Sequence, residues 1–362
     1  MARGKTDPPS NVSGVSLLPI DETSAILSWD RATELDVLLG GKTLIRHSSK
    51  TTGAQWKDGQ NIVVAAAGNQ TQKIVPLLEG TYLIKFEDDG GRESPSPGSS
   101  DSDWNNTRVT TNLPAPSERL LVGSIDEHTP NFTGSKTNTI YDSTLDALKL
   151  TVSSNAVSTS GEYIFTNSID LTQPYDVNLR KVLEASSFNL NNLWDDRVDL
   201  VDDWGYIDQI GGVTEATKCN AAVYVRSTND DPSGSPTWSA YKEFSNVLIT
   251  GRAFQFQARL TSSDTNQNIA VTKLGAKLEL QGRTESISTP VTTGSSQYSV
   301  SFTNAFKQTP TVVVTPTNQQ SGDFHELANI SRTGFQVTFK NGSSAVARSF
   351  VWAASGFGKE VT

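Results

Sequence analysis

Along most of the chain, apolar and polar residues alternate with a period of two. The runs are short and end in Gly, Pro, Asn, Asp or Ser. Half-buried β-strands joined by turns produce this pattern. Near the start, Val12 and Val15 predict a short edge strand, and 25–29 predicts a strand ending on a core tryptophan, Trp29. Residues 42–47 and 80–86 alternate cleanly. Further strands are predicted at 161–165, 177–185, 221–226 and 252–260. The stretch 178–185 also fits a helix, because Leu179, Val182 and Leu183 stand at i, i+3 and i+4; its neighbours are strands, so strand is preferred. Residues 252–260 alternate Ala, Phe, Phe, Ala and Leu inward against Arg, Gln, Gln and Arg outward. The last strands are predicted at 298–302, 311–315, 334–339 and 349–356.

The punctuation divides the 362 residues into an all-β chain of tandem β-sandwiches. The first sandwich is expected over 8–98. A Ser-, Pro-, Asp- and Asn-rich linker at 99–118 has no core of its own. A jelly-roll-like sandwich is expected over 119–282 and a small sandwich over 283–362. At roughly 100–200 residues per domain, this count suits the length.

Particular residues carry resemblances. The entry Pro8-Pro9, the Trp29 strand, the tract Pro76-Leu77-Leu78-Glu79-Gly80-Thr81-Tyr82 and the exit Gly91-Arg92-Glu93-Ser94-Pro95 resemble fibronectin type III domains. In that family the tract forms a tyrosine corner, and the match implies a module, not an activity. The middle piece resembles the C-terminal region of host-specificity proteins, the central tail-fibre or tail-tip proteins of lambda-like siphophages. The residues concerned are Trp194-Asp195-Asp196, Asp202-Asp203-Trp204, Pro236-Thr237-Trp238-Ser239-Ala240-Tyr241 and the tract from Gly251 to Leu260. The last piece has Phe302, Phe306 and Pro310 spaced ahead of Val312-Val313-Val314-Thr315, followed by Gly334-Phe335 and by Phe350 with Trp352. That pattern is similar to the terminal domain of phage tail fibres and to the H-type lectin sandwich. These resemblances imply a virion protein of the tail tip or tail fibre, synthesised in the host cytoplasm. They further imply a homotrimer, with other tail proteins and a host surface glycan or outer-membrane receptor as partners.

Composition narrows the function classes. Hydrophobic residues make up only 35%, yet seven Trp, fourteen Phe and eight Tyr argue against a disordered chain. The net charge of -9, with no basic stripe, argues against nucleic acid and anionic lipid as partners. Cys219 is the single cysteine, expected as a small buried hydrophobe, so no intrachain disulfide can form. The three histidines, His47, His128 and His325, are scattered. Neither a secretory h-region nor a membrane-spanning run is visible, so release by host lysis is expected and membrane insertion is not.

Candidate chemistry is sparse. No G-x-S-x-G or H-E-x-x-H motif occurs, so a non-catalytic chain with no cofactor is expected. Asp195, Asp196 and Asp199 are weak calcium candidates, without EF-hand spacing; the reading preferred for them is a solvated acidic loop. Trp194, Trp204 and Trp238 lie in polar surroundings. They are candidates for stacking on sugar faces, against the alternative that they close the ends of the sandwich. Trp352, in an alternating strand, is expected in the core. The best tip candidate is the loop 319–326, with Asp323, Phe324 and His325 side by side and Arg348 at the same edge. Attachment to a host surface is the expected role. The rivals are a structural tail-tip component that anchors a separate receptor-binding protein, and a surface-glycan depolymerase using a pair from the 195–203 acidic cluster.

Overall fold

A computed structural model describes residues 7–95, 108–109, 119–190 and 214–361, with the backbone alone at 108–109. It is all-β, a set of tandem sandwiches each with its own apolar cluster.

The N-terminal sandwich comprises β1 (Ser16–Pro19), β2 (Ser24–Ser28), a short helix α1 (Leu35–Gly40), β3 (Lys42–Ser48), β4 (Gln60–Asn61), β5 (Ala66–Ala67), β6 (Gln72–Pro76), β7 (Gly80–Glu87) and β8 (Arg108–Val109). One sheet runs β1-β2-β6 and the other β4-β3-β7-β8, with β5 also on β3. Alternate residues of the two sheets meet in the core: Ala25, Leu27 and Val75 face Ile45, Tyr82, Ile84 and Phe86, with Trp29 beside them. Three expectations change. The first strand starts at Ser16, because Gly14 at φ 61 breaks the extended run; Val12 and Val15 pack against the core from outside the sheet. The exit at 91–95 reduces to a single bridge between Glu93 and Glu87, where Pro95 has no N–H to continue a ladder and the Ser94 hydroxyl accepts from Phe86 N instead. Within the expected linker, Arg108–Val109 pairs with Gly80–Thr81 and covers the open edge of β7.

The central sandwich contains β9 (Arg119–Asp126), β10 (Ser135–Thr137), β11 (Thr139–Asp142), β12 (Ala147–Leu150), the small hairpin β13 (Val152–Ser153) and β14 (Ala156–Val157), β15 (Ser160–Ile164), β16 (Ile169–Asn189), β17 (Cys219–Thr228), β18 (Lys242–Glu243), β19 (Asn246–Ser262) and β20 (Gln267–Thr292). The ambiguous stretch 178–185 lies within the strand β16. One layer runs β10-β15-β19-β17-β18; in the other, β20 pairs with β16 on one edge and with β9 and β12 on the other. The first half of β16 also pairs with the first half of β19, which joins the layers. Phe254, Phe256, Ala258 and Leu260 point inward from β19 against Leu179, Leu183, Val271 and Leu278.

The C-terminal sandwich adds β21 (Tyr298–Ser301), β22 (Thr311–Pro316), β23 (Asp323–Ala328), β24 (Gly334–Asn341), β25 (Ser344–Ala345) and β26 (Ser349–Phe357). Its sheets are β20-β26-β22 and β21-β24-β23, with Phe306, Phe335, Phe339, Phe350 and Trp352 between them. The expected tip loop is partly strand. The turn sits around Gly322, at φ 82, and from Asp323 onward the chain pairs with β24.

No hinge separates the central and C-terminal sandwiches, since β20 passes through both. Gly275–Gln281 pairs with β9, and Gly282–Thr292 pairs with β26. Polar contacts close the seam from N-terminal to central sandwich. Asn246 Nδ2 donates to Glu22 O and Leu77 O, both at 2.9 Å, and Ala221 N donates to Gln60 Oε1 at 2.8 Å. Glu22 accepts from Arg119 and Gln281, each at 2.8 Å.

Candidate functional site

The outward side of the β15-β19-β17 layer carries an aromatic and cationic surface. Its origin is the strand period: as Phe254, Phe256 and Ala258 turn inward, Gln255, Gln257 and Arg259 turn outward. Register then sets Arg226 opposite Gln255, Tyr224 opposite Gln257 and Glu162 opposite Arg259. The segment after β17 folds back over this face, tied by mutual hydrogen bonds between Ser227 and Ser239. That return places both Trp238 and Tyr241 close to Arg226. The guanidinium carbon lies 5.2 Å from the Trp238 ring centre and 4.8 Å from that of Tyr241. Arg259 stands 4.3 Å over the Tyr224 ring. Each guanidinium thus lies within cation–π distance of an aromatic ring.

The charges on this face are not all compensated alike. Arg259 has Glu162 at 3.2 Å. Arg226 instead donates from Nε and Nη2 to the neutral Gln255 Oε1, at 2.9 and 2.6 Å. The Tyr241 hydroxyl is buried without a hydrogen-bond partner among the described residues. Burial raises the pKa of both Tyr241 and Tyr224, so both phenols stay neutral donors. All three rings are half-buried, each with an apolar face and a polar edge. Such a surface suits a hydroxyl-rich ligand, which offers C–H groups to rings and oxygens to donors.

The C-terminal candidates are arranged differently. Asp323 is spent on its own turn. Its carboxylate accepts from Arg348 Nε at 2.5 Å and Nη2 at 3.0 Å, from Gln320 N at 2.7 Å and from Asn341 Nδ2 at 2.9 Å. Those four bonds fill the acceptor sites of a carboxylate. They hold its pKa well below the usual range, with Arg348 the largest cause. Arg348 is equally committed, adding bonds to Gln320 and Ala347. Strand alternation separates the neighbours: Phe324 is exposed beside Lys340 on the outer face, and His325 is half-buried against the Phe339 ring at 5.6 Å. Asp323 and Arg348 come together as a lock, while Phe324 faces away.

Of the other expected residues, Trp238 is on the outward face just described. Trp194, Trp204, Asp195, Asp196 and Asp199 lie outside the described residues. Among those described, no group of three His, Cys, Asp or Glu side chains is placed to hold a metal ion. Asp230 and Asp231 are occupied by Thr237 N, Ser233 and Arg252. Cys219 is buried and its thiol pKa is raised by burial, as befits an inert core residue. Trp29 and Trp352 are both core residues. Among the described residues, no helix is long and apolar enough to cross a membrane.

No protein family and no curated protein matches the chain. Solved structures with a faint likeness include two from archaeal-virus studies. One is described as "Life in the extremes: atomic structure of Sulfolobus Turreted Icosahedral Virus", with 9% identity and a TM-score of 0.17 over 96% of this chain and 86% of that one. The other, "The Triple Jelly Roll Fold and Turret Assembly in an Archaeal Virus", has 10% identity and a TM-score of 0.18 over 97% and 90%. At such scores the likeness carries no argument about function.

Proposed function

We propose that this chain is a non-catalytic virion protein of a phage tail that attaches to a glycan on the host surface. The observation that carries the attachment reading is the outward face of the central sandwich, where Trp238, Tyr241 and Tyr224 lie within cation–π distance of Arg226 or Arg259. The tail assignment rests on the sequence tracts around Gly251–Leu260 and Phe302–Trp352. The N-terminal sandwich would act as a fibronectin-type docking module towards other tail proteins. Its two packed antiparallel sheets support that reading, as does the Tyr82 hydroxyl, which donates to Pro76 O at 2.6 Å and accepts from Leu78 N at 2.8 Å. A homotrimer would multiply weak contacts on a repetitive surface.

The test is binding of the purified full chain to host cells and to extracted surface glycan. Trp238→Ala and Arg226→Ala should each weaken binding by about tenfold or more, with the fold retained by circular dichroism, the loss expected for one stacking or charge-assisted contact. If both variants bind like the parent while Phe324→Ala does not, the contact belongs to the C-terminal sandwich. Binding to tail proteins alone would favour a purely structural role. Release of reducing sugar from the glycan would overturn the non-catalytic reading.

A further inference from the structure

A second site lies in the seam between the N-terminal and central sandwiches, away from the aromatic face. It is a cleft of about 280 Å³. Its N-terminal wall is His47 at the end of β3 and the turn at 77–79; its central wall is the 180–184 segment of β16 with Lys273 and Lys277 of β20. Neither sandwich forms it alone.

The charge in the cleft is unbalanced. Arg180, Lys181, Lys273 and Lys277 line it, against the carboxylates of Glu79 and Glu184. Two of the four cations are spoken for: Lys273 pairs with Glu184 at 2.8 Å, and Arg180 pairs with Glu279. The ammonium groups of Lys181 and Lys277 have no hydrogen-bond or ion-pair partner among the described residues. Lys277 is exposed at the rim, and Lys181 is set deeper. Burial pulls the Lys181 pKa down to about 8, although the Glu243 carboxylate acts in the opposite direction. Beside it, His47 is only 7% exposed and its Nε2 has no hydrogen-bond partner among the described residues. Burial, and then the charge of Lys181, hold the imidazole pKa down to about 3, against a hydrogen bond to the Glu79 backbone that acts in the opposite direction, so the ring is neutral.

A partly desolvated ammonium without a counter-ion is costly, as is a buried polar atom without a partner. The arrangement becomes favourable when an anion enters. With Lys273 paired to Glu184 and Arg180 to Glu279, Lys181 and Lys277 face the single carboxylate of Glu79, an excess of one positive charge, in a chain whose net charge is -9. The volume admits one small group or a single sugar ring and not a folded partner. We propose that this cleft binds a phosphate monoester dianion, with Lys181 and Lys277 as its counter-charges. The same phosphate chemistry is offered by a free sugar phosphate and by a phosphorylated surface glycan.

The experiment is calorimetric titration of the full chain with inorganic phosphate, with glucose 6-phosphate and with a phosphorylated polysaccharide, alongside nitrogen-15 NMR of the three histidines. Saturable binding of at least one probe is expected. It should perturb the His47 ring signals and leave those of His128 and His325 unmoved. Lys277→Gln, at an exposed rim position whose ammonium has no hydrogen-bond or ion-pair partner among the described residues, should weaken binding by about tenfold with little change in melting temperature, and Lys181→Gln by at least as much. Response to glucose 6-phosphate assigns a free ligand, and response to the polysaccharide alone assigns a surface source. Absence of saturable binding, an unmoved His47 signal, or parent-like affinity in both lysine variants would overturn the proposal. None of these readouts depends on the aromatic face.

Discussion

At the scale of single residues, two side chains act as fasteners, and their chemistry sets what each loss should do. The Tyr82 hydroxyl serves both Pro76 O and Leu78 N at the turn into β7, with its ring fully buried. Tyr82→Phe keeps the ring and strands both backbone groups. It should cost about 1–3 kcal/mol in a urea unfolding curve, with an unchanged slope. Asp323 is the second fastener. Hydrogen bonds from Arg348 foremost, then from Gln320 N and Asn341, keep its carboxyl ionised below the usual aspartate range. The folded state therefore binds fewer protons here than the unfolded chain. The stabilisation is complete above the ordinary aspartate pKa of about 3.9 and fades as the pH falls below it. The melting temperature of the chain should accordingly shift downward below about pH 4, and Asp323→Asn should remove that component while lowering the melting temperature at neutral pH. An equally steep acid shift in the variant would assign the effect to other carboxylates.

At the scale of elements, strand period and register decide which side chains meet. The period was legible from the residues alone: β7, β17, β19, β24 and β26 lie where alternation puts them. The strand β23 was not, because Asp323–Ala328 has no fully buried face and so no apolar side to alternate with. Part of the outward face was also legible. The inward Phe254 and Phe256 already imply that Gln255 and Arg259 face out, and Trp238 was singled out by its polar surroundings. Tyr224 and Tyr241 were missed as site residues. Their place beside Arg259 and Arg226 follows from a register between β17 and β19 and from a loop that folds back, and neither fact is local. Close approach of backbones is likewise invisible in sequence. At Gly275, in β20, an added Cβ would sit inside the contact radius of Ile125 O on β9. Gly275→Ala should therefore force the two strands apart and cost about 1–3 kcal/mol, the range for over-packing. A thermal melt unchanged from the parent would mean the strands can shift freely.

At the scale of the whole molecule, the question is whether three cores behave as three domains. Sequence punctuation separates them, and each has its own apolar cluster. Their connections differ in kind. The central and C-terminal cores share β20 as a continuous strand, reinforced by Lys307 donating to Leu171 O at 2.6 Å and Arg332 to the Tyr175 hydroxyl at 2.7 Å. Unfolding either core strips β20 from the other, so the two should melt together. The N-terminal core is joined by side-chain contacts, among which Asn246 holds both Glu22 O and Leu77 O. Removing that amide leaves two carbonyls unsatisfied in the seam, worth about 1–3 kcal/mol each when buried. The parent chain should thus show one calorimetric transition whose measured and van't Hoff enthalpies agree. Asn246→Ala should split it, with the N-terminal sandwich melting first and the central and C-terminal pair remaining a single later transition. A parent already resolved into two transitions would mean that the seam does not couple the sandwiches. A variant that still melts as one would place the coupling in the remaining contacts, through Glu22 and Gln60.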